Sequence, residues 1–122
     1  MTAILVVEDE FDVQQVVADV LRDEGYEVTV CGNGRDALKL LGEKRPDAVI
    51  MDVMLPILSG VQVLEAMRKS DGLSTVPVIL TSEVRPHSSQ EPHQWQVFLK
   101  KPFRLEQLLD AVARVFASPS GS

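Results

Sequence analysis

Glu8-Asp9-Glu10 sets three acids in succession directly after an apolar run, Ala3-Ile-Leu-Val-Val7, and Asp52 closes a second such run, Ala48-Val-Ile-Met51. Carboxylates gathered from two strand ends into one crevice repel one another and tolerate ionisation best with a cation among them. Ligation by a few carboxylate oxygens suits magnesium, which keeps several waters and commonly shares its site with phosphate. A third apolar run, Pro77-Val-Ile-Leu-Thr-Ser82, ends on hydroxyls, and a fourth, Gln96-Val-Phe-Leu99, runs into Lys100-Lys-Pro-Phe103. Each piece also has an ordinary reading. Glu8 and Asp9 can simply begin a helix, where acids favour the positive end of the dipole, and Asp52 can be a solvent-facing acid that ends a strand. The acidic pair alone favours that ordinary reading; the pair together with Asp52, Ser82 and Lys101 does not.

The elements that must position these residues follow from periodicity. The runs at 3–7, 48–51 and 77–82 are short, continuous and apolar, as buried strands are, and Tyr26-Glu-Val-Thr-Val-Cys31 alternates and is rich in β-branched residues. Between them, Val13, Val16, Val17, Val20 and Leu21 recur at helical spacing up to Gly25. Asn33 caps a helix through Ala37, Leu38 and Leu41 to about Glu43, and Ser59 caps another through Val61, Leu64 and Met67, ending near Asp71-Gly72. From Glu83 to Gln94 the periodicity decays between Pro86 and Pro92, so a fourth helix there is short or irregular. Leu105, Leu108, Leu109, Val112, Val115 and Phe116 mark a last amphipathic helix. Strand and helix alternating five times imply an α/β doubly wound fold with a parallel sheet and helices on both faces. The likeliest order for five such units, 2-1-3-4-5, sets strands one and three on either side of the switch point, with Glu8, Asp9 and Asp52 at their ends.

Composition narrows the partners. The 122 residues fit one domain, with residues 118–122, Ser-Pro-Ser-Gly-Ser, as a flexible tail. A single cysteine, Cys31, rules out an intrachain disulfide, a thiolate zinc site and CxxC redox chemistry, and fits a reduced cytoplasmic setting. The opening residues lack a basic leader and are too few to span a membrane. With 18 acidic against 12 basic residues the net charge is -6, which argues against a phosphate-tracking nucleic-acid surface and against anionic lipid.

The spacing from Glu8-Asp9 to Asp52-x-x-x-Pro56-x-x-x-Gly60, then to Pro77-Val-Ile-Leu-Thr-Ser82 and Lys101-Pro-Phe, closely resembles the receiver domain of two-component response regulators, over residues 3 to about 117. The resemblance implies a flavodoxin-like sheet of order 2-1-3-4-5, an order for which a chemotaxis receiver is a standard example. It also implies that Asp52 is the phosphoacceptor and attacks the phosphorus of a phosphohistidine on a histidine kinase or histidine phosphotransfer protein. Asp9 and Asp52 would ligate Mg2+, with the Met54 backbone carbonyl as a further ligand and Glu8 acting directly or through water. Lys101 would neutralise phosphoryl oxygen charge and the Ser82 hydroxyl would bond to it. Thr81 and Lys100 compete for those two roles; counting from Pro77 selects Ser82, and the lysine next to the proline selects Lys101. Phe98 falls where receivers carry a switch aromatic, and a plain core residue is an equal reading of it.

Two departures stand out. Glu83 occupies a position where receivers place a small residue, and Gln94-Trp95 replaces a Gly-Ala pair. Trp95 reads either as a partner anchor or as a ring covering a thin edge. His87 and His93, set among Pro, Ser and Gln, read as loop residues rather than ligands. The expectation is a non-enzymatic receiver, residues 1–117, that signals by a conformational shift to a protein effector, as a monomer or a phosphorylation-dependent dimer. No output domain follows in this sequence, so it is either a stand-alone regulator or part of a longer one. The alternative is a receiver-fold binding module that works without phosphorylation. An Asp-x-Asp phosphatase is disfavoured by Met54, and a flavin carrier by the acids Glu8 to Glu10.

Overall fold

A computed structural model of the chain describes residues 1–84 and 94–117. Five strands, β1 (Ala3–Val7), β2 (Glu27–Cys31), β3 (Ala48–Asp52), β4 (Val78–Ser82) and β5 (Val97–Lys100), form one parallel sheet of order β2-β1-β3-β4-β5. Four helices, α1 (Phe11–Asp23), α2 (Gly34–Glu43), α3 (Gly60–Lys69) and α4 (Leu105–Ala117), are found among the described residues. The expected irregular fourth helix, His87, His93 and the tail at 118–122 lie outside them.

Alternate strand residues supply two cores, because side chains along a strand point to opposite faces. Leu5, Val7, Val49, Met51, Val78 and Leu80 meet α2 and α3 on one face. Ile4, Val6, Ile50, Ile79 and Leu99 meet Val17, Ala18 and Leu21 of α1 and Leu108, Ala111 and Val112 of α4 on the other. Each fully buried aliphatic side chain stabilises the fold by about 1.5–3 kcal/mol, so both faces of the central strands are fixed and their ends held in register.

The helix starts follow local chemistry. Asn33 accepts a hydrogen bond from Asp36 N at 2.8 Å, and Ser59 forms a capping box with Gln62, accepting from Gln62 N at 3.2 Å while Ser59 N donates to Gln62 Oε1 at 2.9 Å. Two details differ from expectation. The α1 stripe is rotated, so that Gln14, Val17, Ala18 and Leu21 are buried while Val16 is exposed, because Val13 and Val16 face a cleft towards Phe103 and Leu105. The α3 helix ends at Lys69 rather than near Asp71-Gly72, since Ser70 is extended and its hydroxyl donates to Ala66 O at 2.9 Å.

Trp95 is half-buried against the α2/α3 core. The turn it belongs to is held by Arg68. Its guanidinium donates to the carbonyls of Leu73, Ser74, Val76 and Gln94, joining α3, the turn before β4 and the approach to β5.

Candidate active site

The carboxyl ends of β1 and β3 lie side by side and bring Glu8 and Asp52 together. Both are buried, each 5% exposed, while Asp9 is open to solvent. Burial of an acid is costly without partners, and both have them. Glu8 Oε2 accepts from Glu10 N at 3.1 Å, Asp52 Oδ1 accepts from Met54 N at 3.1 Å, and the Lys101 ammonium donates to Glu8 Oε1 at 2.7 Å and Asp52 Oδ2 at 2.8 Å. Glu10 Oε1 stands 3.9 Å from the same ammonium on its solvent side.

The backbone around the acids is equally constrained. Gln14, a polar residue on the buried stripe of α1, donates through Nε2 to the carbonyls of Glu8 at 2.9 Å and Cys31 at 3.1 Å, which fixes the turn from β1 into α1. Gly60 N donates to Val53 O at 2.9 Å, and a Cβ on Gly60 would collide with the Asp52 carbonyl and lie 3.0 Å from Val53 Cα. A glycine is therefore required for α3 to start this close to Asp52. Ile57, in the loop between them, has φ of 75°, a left-handed conformation rare for a β-branched residue.

Burial pushes the Glu8 carboxyl above its ordinary range, against the opposing pull of the Lys101 hydrogen bond. Burial would lower Lys101, but its hydrogen bonds to Asp52 and Glu8 outweigh this and hold the ammonium above its ordinary value, so it remains charged at neutral pH. The Cys31 thiol is pushed up to about 11 by burial and by nearby Asp36, which leaves it a poor nucleophile.

One oxygen each from Glu8, Asp9 and Asp52 lie within 4.8 Å of one another. Trans oxygens on an octahedral Mg2+ are about 4.2 Å apart and cis oxygens about 3 Å, so small adjustments would bring the three acids onto one ion. The donor set, hard oxygens with buried negative charge, fits that cation and no thiolate- or imidazole-seeking metal.

Of the other residues singled out in the sequence, Ser82 is buried at the end of β4, its carbonyl accepting from Lys101 N at 2.8 Å and its Oγ from Val84 N at 3.2 Å. Thr81, equally buried, is the register partner of Asp52 on β3. Met54 is exposed and contributes its backbone N–H to Asp52. Lys100 is exposed, and Phe98 is half-buried against the α2/α3 core. Sequence reasoning missed Gln14 and Arg68. The signal for Gln14 was a polar residue at a helix position whose i+3, i+4 and i+7 neighbours are apolar.

The comparisons with known proteins agree with this geometry. The chain is 33% identical over 114 residues to the DNA-binding response regulator MtrA of Mycobacterium tuberculosis, covering 93% of this chain and 49% of that protein. It spans about half the length of the curated relatives it matches. The chemotaxis response regulator CheY4 of Vibrio cholerae superposes with a TM-score of 0.83 at 31% identity, covering 94% of this chain and 98% of that one. The response regulator TrrA of Thermotoga maritima, in complex with Mg2+ and BeF, superposes with a TM-score of 0.85 at 29% identity, covering 94% and 99%. The family model for the response regulator receiver domain matches residues 4–113, and with an acidic crevice at the expected strand ends the chain belongs to that family, the receivers of two-component signalling.

Proposed function

We propose that Asp52 is the phosphoacceptor of a phosphorelay, taking a phosphoryl group from a phosphohistidine on a histidine kinase or histidine phosphotransfer protein. The observation that carries this reading is the Lys101 ammonium held between Asp52 and Glu8, beside three carboxylates whose oxygens approach within 4.8 Å. A carboxylate oxygen of Asp52 forms the new bond to phosphorus as the P–N bond breaks, and the electron pair leaves on the imidazole, which is protonated. The Met54 N–H, already on Asp52 Oδ1, fixes the plane of the attacking carboxylate.

Lys101 Nζ needs only to exchange one carboxylate partner for a phosphoryl oxygen to neutralise its charge. The Ser82 hydroxyl accepts from Val84 N through an oxygen lone pair and keeps its proton to donate to another phosphoryl oxygen. Glu8, Asp9, Asp52 and the Met54 carbonyl would hold Mg2+. When bound, that ion offsets negative charge on the phosphoryl oxygens and allows the acids to ionise together.

The donor and effector are proteins in this reading, and the cytoplasm is its setting. Apart from Met1, the exposed large apolar side chains among the described residues are Phe11, Val16, Met54, Ile57, Val84 and Leu105. All lie on the loops or early helical turns that follow the strand ends, so an apolar collar surrounds the acidic crevice, as a docking surface requires. Phe98 and Ser82 would carry the change of state towards the effector. The chain receives a phosphoryl group rather than turning over a substrate.

The test is intact mass after incubation with a small phosphodonor and Mg2+. A labile adduct of one phosphoryl group that disappears in Asp52→Asn is expected. Its absence from the wild-type chain would leave the reading of a binding module that works without phosphorylation.

A further inference from the structure

Glu83 directly follows Ser82, the last residue of β4. It lines a cleft of about 530 Å3 together with Glu10, Asp12, Lys101 and Pro102, and the apolar floor of the cleft comes from α1 and Phe103. Glu10, Asp12 and Glu83 are all exposed at its rim. Among the described residues that line the cleft, the cation is Lys101, and it is already engaged by Glu8 and Asp52, with Glu10 at 3.9 Å. Among the described residues the rim is therefore predominantly acidic, and Glu83 adds a carboxylate to it beyond the one, Glu10, that Lys101 reaches.

We propose that Glu83 is a specificity-determining residue for the phosphodonor, repelling free dianionic acyl phosphates by charge and so disfavouring them against donors of lower net negative charge. The inference rests on the phosphoacceptor reading of Asp52. A single carboxylate within a Debye length of an approaching dianion lowers its local concentration by about three- to tenfold at low ionic strength, and a monoanion by about the square root of that factor.

The experiment measures second-order rate constants for adduct formation with acetyl phosphate, a dianion, and phosphoramidate, a monoanionic zwitterion, at saturating Mg2+ over a range of ionic strength. In the wild-type chain, added salt is expected to speed acetyl phosphate more than phosphoramidate. Glu83→Gln, which keeps the bulk and removes the charge, should speed acetyl phosphate by about three- to tenfold at low salt and flatten its salt dependence. Glu83→Lys should go further in the same direction. An unchanged donor ratio in Glu83→Gln overturns the proposal, and so does acceleration by Glu83→Ala without acceleration by Glu83→Gln, which would assign the effect to bulk. If neither donor gives an Asp52-dependent adduct in any variant, the phosphoacceptor reading fails and takes this inference with it. An adduct that forms with no response to Glu83 sinks this inference alone.

Discussion

The Lys101 ammonium reaches from the end of β5 over β4 to lie 2.8 Å from Asp52 Oδ2 at the end of β3. Its second carboxylate, Glu8, comes from β1, so one side chain ties three of the five strand ends together. Removing it would leave two buried acids facing each other. Lys101→Met, which keeps the aliphatic packing, should lower stability at neutral pH in chelator by about 3 kcal/mol, the cost of breaking a buried ion pair on one side. Mg2+ should restore much of that loss, because it replaces the missing positive charge. Urea unfolding with and without Mg2+ measures both terms, and equal losses in the two conditions would contradict a shared cation site.

The Glu8 carboxyl titrates above its ordinary value of 4.5 because burial disfavours its charged form. Between 4.5 and the raised folded value the native chain holds more protons than the unfolded chain, so the Glu8 contribution to stability falls as pH rises through that window. Below 4.5 the contribution is fully present. In metal-free buffer, the stability of the wild-type chain relative to Glu8→Gln should therefore decline with increasing pH across the window. A difference that is flat or increases with pH would mean that the Lys101 hydrogen bond outweighs burial.

What could be read in the sequence was local. Asn33 and Ser59 cap their helices through bonds spanning three residues, and Asp52 and Ser82 end their strands where apolar runs stop. The meeting of Glu8, Asp9 and Asp52 followed once the order 2-1-3-4-5 was assumed, because that order makes β1 and β3 neighbours. The Arg68 clamp was not legible, since its acceptors are main-chain carbonyls that any sequence supplies. The left-handed Ile57 was hidden for the opposite reason: its residue type argues against the conformation that the loop imposes.

Arg68 joins segments that are far apart in sequence: it donates to the carbonyls of Ser74, Val76 and Gln94, and to that of Leu73, which also accepts from Val76 N at 3.2 Å. Arg68→Ala removes all of these bonds at once, including those to the part-buried carbonyls of Val76 and Gln94, and should cost about 2–4 kcal/mol, at roughly 1 kcal/mol or more per lost bond. Arg68→Lys should recover less than half, because an ammonium cannot span the turn before β4 and Gln94 together as the planar guanidinium does. Chemical denaturation ranks the three chains, and a lysine variant as stable as wild type would refute the bridging role.

Ile57 sits at φ 75° with its side chain 63% exposed, between Asp52 and the start of α3. The left-handed conformation costs a β-branched residue about 1–2 kcal/mol, and its exposure means that little packing offsets this cost. Glycine removes the strain but loses about 0.5–1 kcal/mol through greater freedom of the unfolded chain. Ile57→Gly should therefore stabilise the protein by a net amount of about 0.5–1 kcal/mol. The same substitution removes one apolar member of the collar, so it should also slow phosphoryl transfer from a protein donor while leaving a small phosphodonor unaffected. Stability and the two labelling rates separate the roles: a gain in stability with both rates unchanged would mean that Ile57 is strained without serving the docking surface.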